Sequence, residues 1–278
     1  MRAEAALERF CAADAERDPP ATVVVAAHPD DEAIGAGASM ARLARACWVI
    51  HVTDGAPADR RFFPAAAAKL TRAAYARARR DEAVRALAVA GVDASRLLWL
   101  GLRDQEAVHD MAAAAERLVV VLAERRPELV LTHAYEGGHP DHDAAAFIVH
   151  AAAALLRVRR ATVPTLVEMT SYHDQGGSTV RGEFLAAAGA REVVIELGDE
   201  QRRRKRAMLA AYASQREVLE PFKLETERFR VAPRYDFGAP AHEGRLHYER
   251  FGLGLGGAMW RALSRAAAKK LALPEGKL

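Results

Sequence analysis

Two short stretches carry the residues that could do chemistry. The first is His28-Pro29-Asp30-Asp31-Glu32, which follows the apolar run Val23-Val24-Val25-Ala26-Ala27. The second is His139-Pro140-Asp141-His142, which follows Gly137-Gly138. Asp30 and Asp31 are consecutive on a non-helical segment, so their side chains should diverge: one can hold a metal while the other faces a bound water. If Pro140 opens a helix, His139 is its N-cap and His142 lies in the same first turn, where the helix dipole disfavours imidazolium and leaves a neutral ring free to bind a metal. Two histidines and a carboxylate with an open fourth position form the ligand set of a hydrolytic zinc site. His28, Asp31 and His142 would meet if the strands that end at these stretches lie side by side.

The elements that must position them alternate regularly. Thr22 to Ala27, Cys47 to Thr53, Leu97 to Leu100 and Glu128 to Thr132 read as strands, rich in apolar residues without a period of two, as buried parallel strands are. Between them, helices are predicted at about Glu32 to Ala46, Ala66 to Ala90 and Asp110 to Arg126, and another from Pro140 to about Arg157. Strands alternating with helices over some 150 residues predict an α/β, Rossmann-like, mostly parallel sheet with helices on both faces. In such sheets ligands bind beyond the strand ends, where the strand order reverses. Further on the pattern loosens. Leu166 to Tyr172 and Glu192 to Leu197 look like strands, Glu200 to Leu219 like a helix, 225–247 irregular or partly β, and Gly257 to Leu271 a closing helix. With no repeat and no low-complexity linker, residues 1–278 are expected to form one domain, with a core over about 20–219 and an irregular C-terminal extension over about 220–278.

Composition excludes several classes. The chain has 278 residues, 51% of them hydrophobic, and a formal net charge of +3, too small for nucleic acid or a membrane surface to be the main partner. Its two cysteines, Cys11 and Cys47, make a disulfide framework improbable and favour a reducing, cytoplasmic setting. Met1 to Pro20 is charged and lacks an apolar h-region, so no secretory signal is expected. The glycines of Gly35-Ala36-Gly37-Ala38-Ser39-Met40 fall too late for a dinucleotide fingerprint and suit close packing of a helix on the sheet. Arg202-Arg203-Arg204-Lys205-Arg206 reads as a solvated helix face. Glu32 and Asp143 read as first-turn helix carboxylates, and His51, His133, His150 and His173 as ordinary core or surface histidines, with His133 and Tyr135 set apart because they flank the proposed site. His242 and His247, in the irregular tail, could belong to a lid.

The two motifs, in this order and about a hundred residues apart, resemble those of the zinc-dependent N-acetylglucosaminyl deacetylases, the PIG-L or LmbE-like family. The likeness spans roughly Thr22 to His150, with echoes at Arg79-Arg80-Asp81-Glu82, Arg103-Asp104 and Tyr212-Ala213-Ser214-Gln215. It implies that His28, Asp31 and His142 bind Zn2+, with Fe2+ or Co2+ as substitutes, and that Asp30 is the general base. His139 would stabilise the oxyanion, oriented by Asp141, while Arg79 and Asp104 would contact the substrate. The implied activity is removal of an N-acetyl group from a small amino sugar or glycoconjugate. Hydrolysis of another small N-acyl amide, or silent metal or sugar binding on the same fold, are the alternatives. Oligomeric state is not legible in these residues.

Overall fold

A computed structural model of the chain describes residues 2–12, 14–187, 189–274 and 276–278. In order, the elements are α1 (Arg2–Cys11), β1 (Thr22–Ala26), α2 (Asp31–Leu43), β2 (Cys47–Pro57), α3 (Arg72–Val89), β3 (Leu97–Asp104), α4 (Met111–Arg125), β4 (Leu129–His133) and α5 (Pro140–Val158). Then follow β5 (Thr165–Met169), β6 (Tyr172–Gln175), β7 (Ser178–Arg181), β8 (Glu192–Glu196), α6 (Asp199–Ala211), α7 (Arg216–Leu219), β9 (Thr226–Val231) and α8 (Gly257–Lys270). Seven strands make one sheet in the order β3-β2-β1-β4-β5-β9-β8. The first five are parallel, and β9 and β8 each run antiparallel to the strand before them in that order.

The pleat divides the apolar strand residues between two cores. Val23, Val25, Ile50 and Val130 point towards Leu118, Phe147 and Trp260 of α4, α5 and α8. Val24, Val49 and Leu131 point the other way, towards Met40, Leu87 and Met208 of α2, α3 and α6. The chain builds outward from β1 to β3 and then returns to place β4 on the other side of β1. Strand order therefore reverses between β1 and β4, the crevice where open α/β sheets take ligands.

α2 packs tightly there. A Cβ at Gly35 would stand 2.5 Å from Met169 Sδ, so the glycine serves close packing as expected. At Ala36 the helix leaves helical geometry (φ −146°, ψ 18°), and the freed N–H groups of Ala38 and Ser39 donate to Glu227 at 2.8 and 2.9 Å. Glu227 also pairs with Lys205 at 3.1 Å. Lys205 is thus buried, against the reading of 202–206 as one solvated face, while Arg202, Arg203 and Arg204 do pair with Asp199 and Glu200 at the surface.

Three further boundaries differ from expectation. α3 starts at Arg72, where the Thr71 hydroxyl caps Ala74 N–H at 3.2 Å. The strand expected over 166–172 stops at Met169, and Tyr172 begins a separate hairpin turned by Gly176 and Gly177, both at positive φ. The helix expected over 200–219 breaks at Tyr212, whose hydroxyl donates to Glu32 while Ser214 donates to Glu82. Among the described residues no helix is long and apolar enough to cross a membrane.

Candidate metal centre and active site

β1 stops at Ala26, and Pro29 takes the chain out of the sheet just after His28. Asp30 then adopts φ 120°, ψ −28°, a conformation that strains a non-glycine residue by about 1–3 kcal/mol, and Asp31 opens α2. The twist separates the two carboxylates. Asp31 accepts the backbone N–H of His28 at 2.8 Å and lies 3.2 Å from His28 Nδ1 and 3.2 Å from His142 Nε2. Asp30 turns to Arg79, which donates to its Oδ2 at 3.1 Å and also to the Pro29 carbonyl.

β4 and α5 supply the other wall. His139 is the N-cap of α5, and its Nδ1 accepts the N–H of Asp141 at 3.1 Å, which leaves Nε2 to carry the proton. Its ring stands edge-on to His28 with centroids 4.6 Å apart. Ser171 Oγ, 3.4 Å from His142 Nδ1, helps aim Nε2 at Asp31. Asp143, fully buried, accepts the N–H groups of Glu136 and Gly137 at 3.2 and 3.0 Å and so fixes the loop, a larger role than that of a first-turn charge.

The donor set fits a divalent metal. Tetrahedral ligands about 2.0–2.1 Å from an ion stand roughly 3.4 Å from one another; His28 Nδ1 lies 3.2 Å from Asp31 Oδ2 and His142 Nε2 3.2 Å from Asp31 Oδ1, one ring at each oxygen of the carboxylate. His28, His139 and His142 together offer nitrogens within 4.8 Å of each other, as do Asp31, His133 and His142 their ligand atoms. Burial holds His142 down to about 4 and His139 down to about 3, so both keep a lone pair. For His28, burial opposes the imidazolium but Asp104, Asp141 and Asp31 outweigh it and raise its pKa. A carboxylate field that retains a proton there also favours a metal cation. Burial pushes the Asp30 carboxyl up to about 7 against the pull of Arg79.

Residues 23–153 match the protein family described as "PIG-L: GlcNAc-PI de-N-acetylase". A 1D-myo-inositol 2-acetamido-2-deoxy-alpha-D-glucopyranoside deacetylase from Corynebacterium glutamicum (strain R) is 32% identical over 218 residues, covering 69% of this chain and 74% of that protein. The chain belongs to the PIG-L family. A protein of the same name from Kineococcus radiotolerans is 34% identical over 170 residues, 51% of this chain but 44% of the relative's length. In fold, the chain is similar to an N,N'-diacetylchitobiose deacetylase from Pyrococcus horikoshii, with a TM-score of 0.59, 18% identity and coverage of 83% and 92%.

Against the roles implied by likeness to PIG-L proteins, one placement needs correction. Asp141 orients His139 as expected, through its backbone N–H at 3.1 Å from Nδ1, while its carboxylate accepts the N–H groups of Gln105 and Ala107 at 2.6 and 3.1 Å and approaches His28 Nε2 at 3.2 Å. Arg79, expected at the substrate, is 2% exposed; its Nη2 donates to Asp30 and Pro29, while its Nε and Nη1 have no hydrogen-bond partner among the described residues. Room for it depends on Gly55, at φ +62°, where a Cβ would come within 2.8 Å of both Arg79 Nε and Pro29 Cδ. Asp104 does reach the site, where its Oδ1 lies 3.1 Å from His28 Nε2. With Asp141 it aims that imidazole, as carboxylates behind metal-ligating histidines do.

Three further residues take part, of which the sequence marked only His133, as a neighbour of the site. His133 stacks on His142 with centroids 4.1 Å apart and 14° between the rings, and its Nε2 accepts the Ala27 N–H at 3.0 Å. Its place at the end of β4, the strand beside β1, was the available signal. Glu32 is fully buried between His51, at 2.9 Å, and the Tyr212 hydroxyl. Tyr172 places its ring edge against His142, with centroids 5.3 Å apart, a contact that no local pattern announces.

Proposed function

We propose that the chain is a zinc-dependent hydrolase that removes the N-acetyl group of a small amino sugar or glycoconjugate. The observation that carries this is Asp31 flanked at 3.2 Å by His28 and His142, with a second buried carboxylate, Asp30, beside it and turned another way. The named activities of the PIG-L relatives support the choice of substrate, and Zn2+ suits the nitrogen-rich donor set better than it would a site of oxygens alone.

His28, Asp31 and His142 would hold the metal, which supplies Lewis acidity, polarising the acyl carbonyl and lowering the pKa of water towards about 7. Asp30 is the general base. Buried beside Asp31 and turned another way, it is placed to take a proton from the attacking water and return it to the departing amine. Arg79 fixes its position. His139, neutral and protonated on Nε2, donates to the oxygen that gains negative charge as the amide carbon becomes tetrahedral. Asp104 and Asp141 hold the His28 ring still. The products are acetate and a free amine. Two core clusters that share one sheet support a single domain including the tail, and the free thiols of Cys11 and Cys47 support a cytoplasmic setting.

The test is acetate release from N-acetylglucosamine glycosides by zinc-loaded protein. Turnover that disappears on chelation and returns with zinc is the expected result; full turnover after chelation overturns the metal assignment, and none on any N-acetyl sugar overturns the substrate class.

A further inference from the structure

Behind Asp30 lies a buried polar cluster with no part in the steps above. Asp30 stands at the N-cap of α2, where backbone N–H groups lack partners within the helix. Glu32, two residues on, turns back and accepts the Asp30 N–H on Oε2 at 3.1 Å, as the acid of a capping box does. Two more donors converge on the same carboxylate: His51 Nε2, from β2, at 2.9 Å and, on Oε1, the Tyr212 hydroxyl. Glu32, His51 and Tyr212 are all fully buried, so water does not compete for these bonds.

The cluster bears on Asp30 from two sides. The Tyr212 hydroxyl anchors Glu32, and Glu32 holds the Asp30 backbone. The face of the same ring lies 5.6 Å from the Arg79 guanidinium carbon, and Arg79 donates to the Asp30 carboxylate at 3.1 Å. Asp30 keeps its φ of 120°, and so strained a backbone persists only where its surroundings over-determine it. His51 adds to the anchor and to little else. Its Nδ1 is buried without a partner, and its ring packs on Trp99 with centroids 4.7 Å apart. Among the described residues neither Tyr212 nor His51 has a side-chain hydrogen bond to His28, Asp31 or His142.

We infer that Tyr212 and His51 are positioning residues for the proposed base: by anchoring Glu32 they fix the backbone of Asp30, and with it the aim of the Asp30 carboxylate. The role rests on the reading of Asp30 as general base. If the donors served only to satisfy a buried carboxylate, their loss would lower stability and leave the behaviour of Asp30 as it is.

Tyr212→Phe isolates the hydroxyl, because the ring that faces Arg79 stays. Two readouts on zinc-treated protein separate the outcomes. One is the carbon NMR resonance of the Asp30 carboxyl in aspartate-labelled protein, assigned by its absence from Asp30→Asn. The other is acetate release from the methyl α-glycoside of N-acetylglucosamine. In Tyr212→Phe the Asp30 resonance is expected to move while that of the exposed Asp93 stays. Over the same change kcat should fall about tenfold to a hundredfold, the loss that a small misplacement of a reacting group brings, with KM and bound zinc at wild-type levels. In an Asp30→Asn background the same substitution should lower kcat less than about twofold, since no base is left to position. His51→Leu should repeat the pattern, and His51→Gln, which can still donate to Glu32, should recover most of the loss. An Asp30 resonance unmoved in both Tyr212→Phe and His51→Leu, an unchanged kcat, or a loss that persists in full on Asp30→Asn overturns the role; His51→Leu decides alone if Tyr212→Phe does not fold. A resonance that moves in a protein releasing no acetate from any N-acetyl sugar upholds the positioning and instead refutes the deacetylase reading.

Discussion

Beneath the site, His28, Asp31, Asp141 and His142 come from two neighbouring strand ends, and short polar contacts such as His28 N–H to Asp31 and Gln105 N–H to Asp141 hold them. Above it, Tyr172, Phe222 and His247 come from three distant segments, and rings do most of the holding: Tyr172 lies 5.0 Å from His247 and 6.1 Å from Phe222 by centroid. The polar ties of this cover are chiefly His247 N–H to the Gly137 carbonyl at 2.9 Å, His247 Nδ1 to the Gly138 carbonyl at 3.1 Å, Thr179 to His247 at 3.0 Å and the Arg250–Asp174 pair. The floor sets geometry with directional bonds, and the cover excludes water with adaptable apolar contact. Changes to the floor should therefore be read in turnover and metal, and changes to the cover in stability and substrate affinity.

The largest effect is expected in the floor. Asp30→Asn keeps the shape and the Arg79 contact but removes the base, so kcat should fall by about 10²–10⁴-fold while bound metal stays at the wild-type level; steady-state kinetics beside metal analysis checks this. On the far side of α5, burial holds His150 down to about 4, against Tyr235 and Phe237 of the C-terminal segment. A histidine with a lowered folded pKa contributes stability that is complete above its unfolded value of about 6.5 and is lost as pH falls towards 4, some 3 kcal/mol in all. Denaturation across that window should show the loss, and His150→Leu should flatten it. Where floor and cover touch, Gly138→Ala would set a Cβ 1.9 Å from the Tyr172 carbonyl oxygen. The hairpin must then shift, at about 1–3 kcal/mol in thermal unfolding, with a raised KM. The smallest change is Thr179→Val in the cover: it removes one bond to His247 and should cost about 1 kcal/mol with kcat unaltered. A large fall in kcat there would erase the distinction between floor and cover.

The same division explains what could be read in advance. The floor is written in consecutive residues: an apolar run, a proline that ends it and the carboxylates after it reveal β1 and its cargo, and Pro140 after His139 reveals a helix start. The adjacency of β1 and β4 was a condition that alternating strands and helices allow without fixing, and the register Val24 to Leu131 meets it. The residues behind the floor were visible as separate echoes, but their meeting was not. Glu82 of α3 accepts both the N–H and the hydroxyl of Ser214 from 132 residues away, and nothing local to either residue signals the other. Arg79 illustrates the same limit, since an arginine facing a substrate and one facing Asp30 occupy the same position on a helix. The cover left least trace: Tyr172 sits where an apolar run merely thins, and the kink at Ala36 depends on Glu227, which arrives from β9.

The central claim is that Asp31 holds a metal and Asp30 does not. Metal per chain, measured by elemental analysis on wild type, Asp30→Ala and Asp31→Ala purified and zinc-treated side by side, tests it most directly. Close to one zinc is expected in wild type and Asp30→Ala, and little in Asp31→Ala. Equal metal in all three, or none in wild type after zinc is offered, would contradict it.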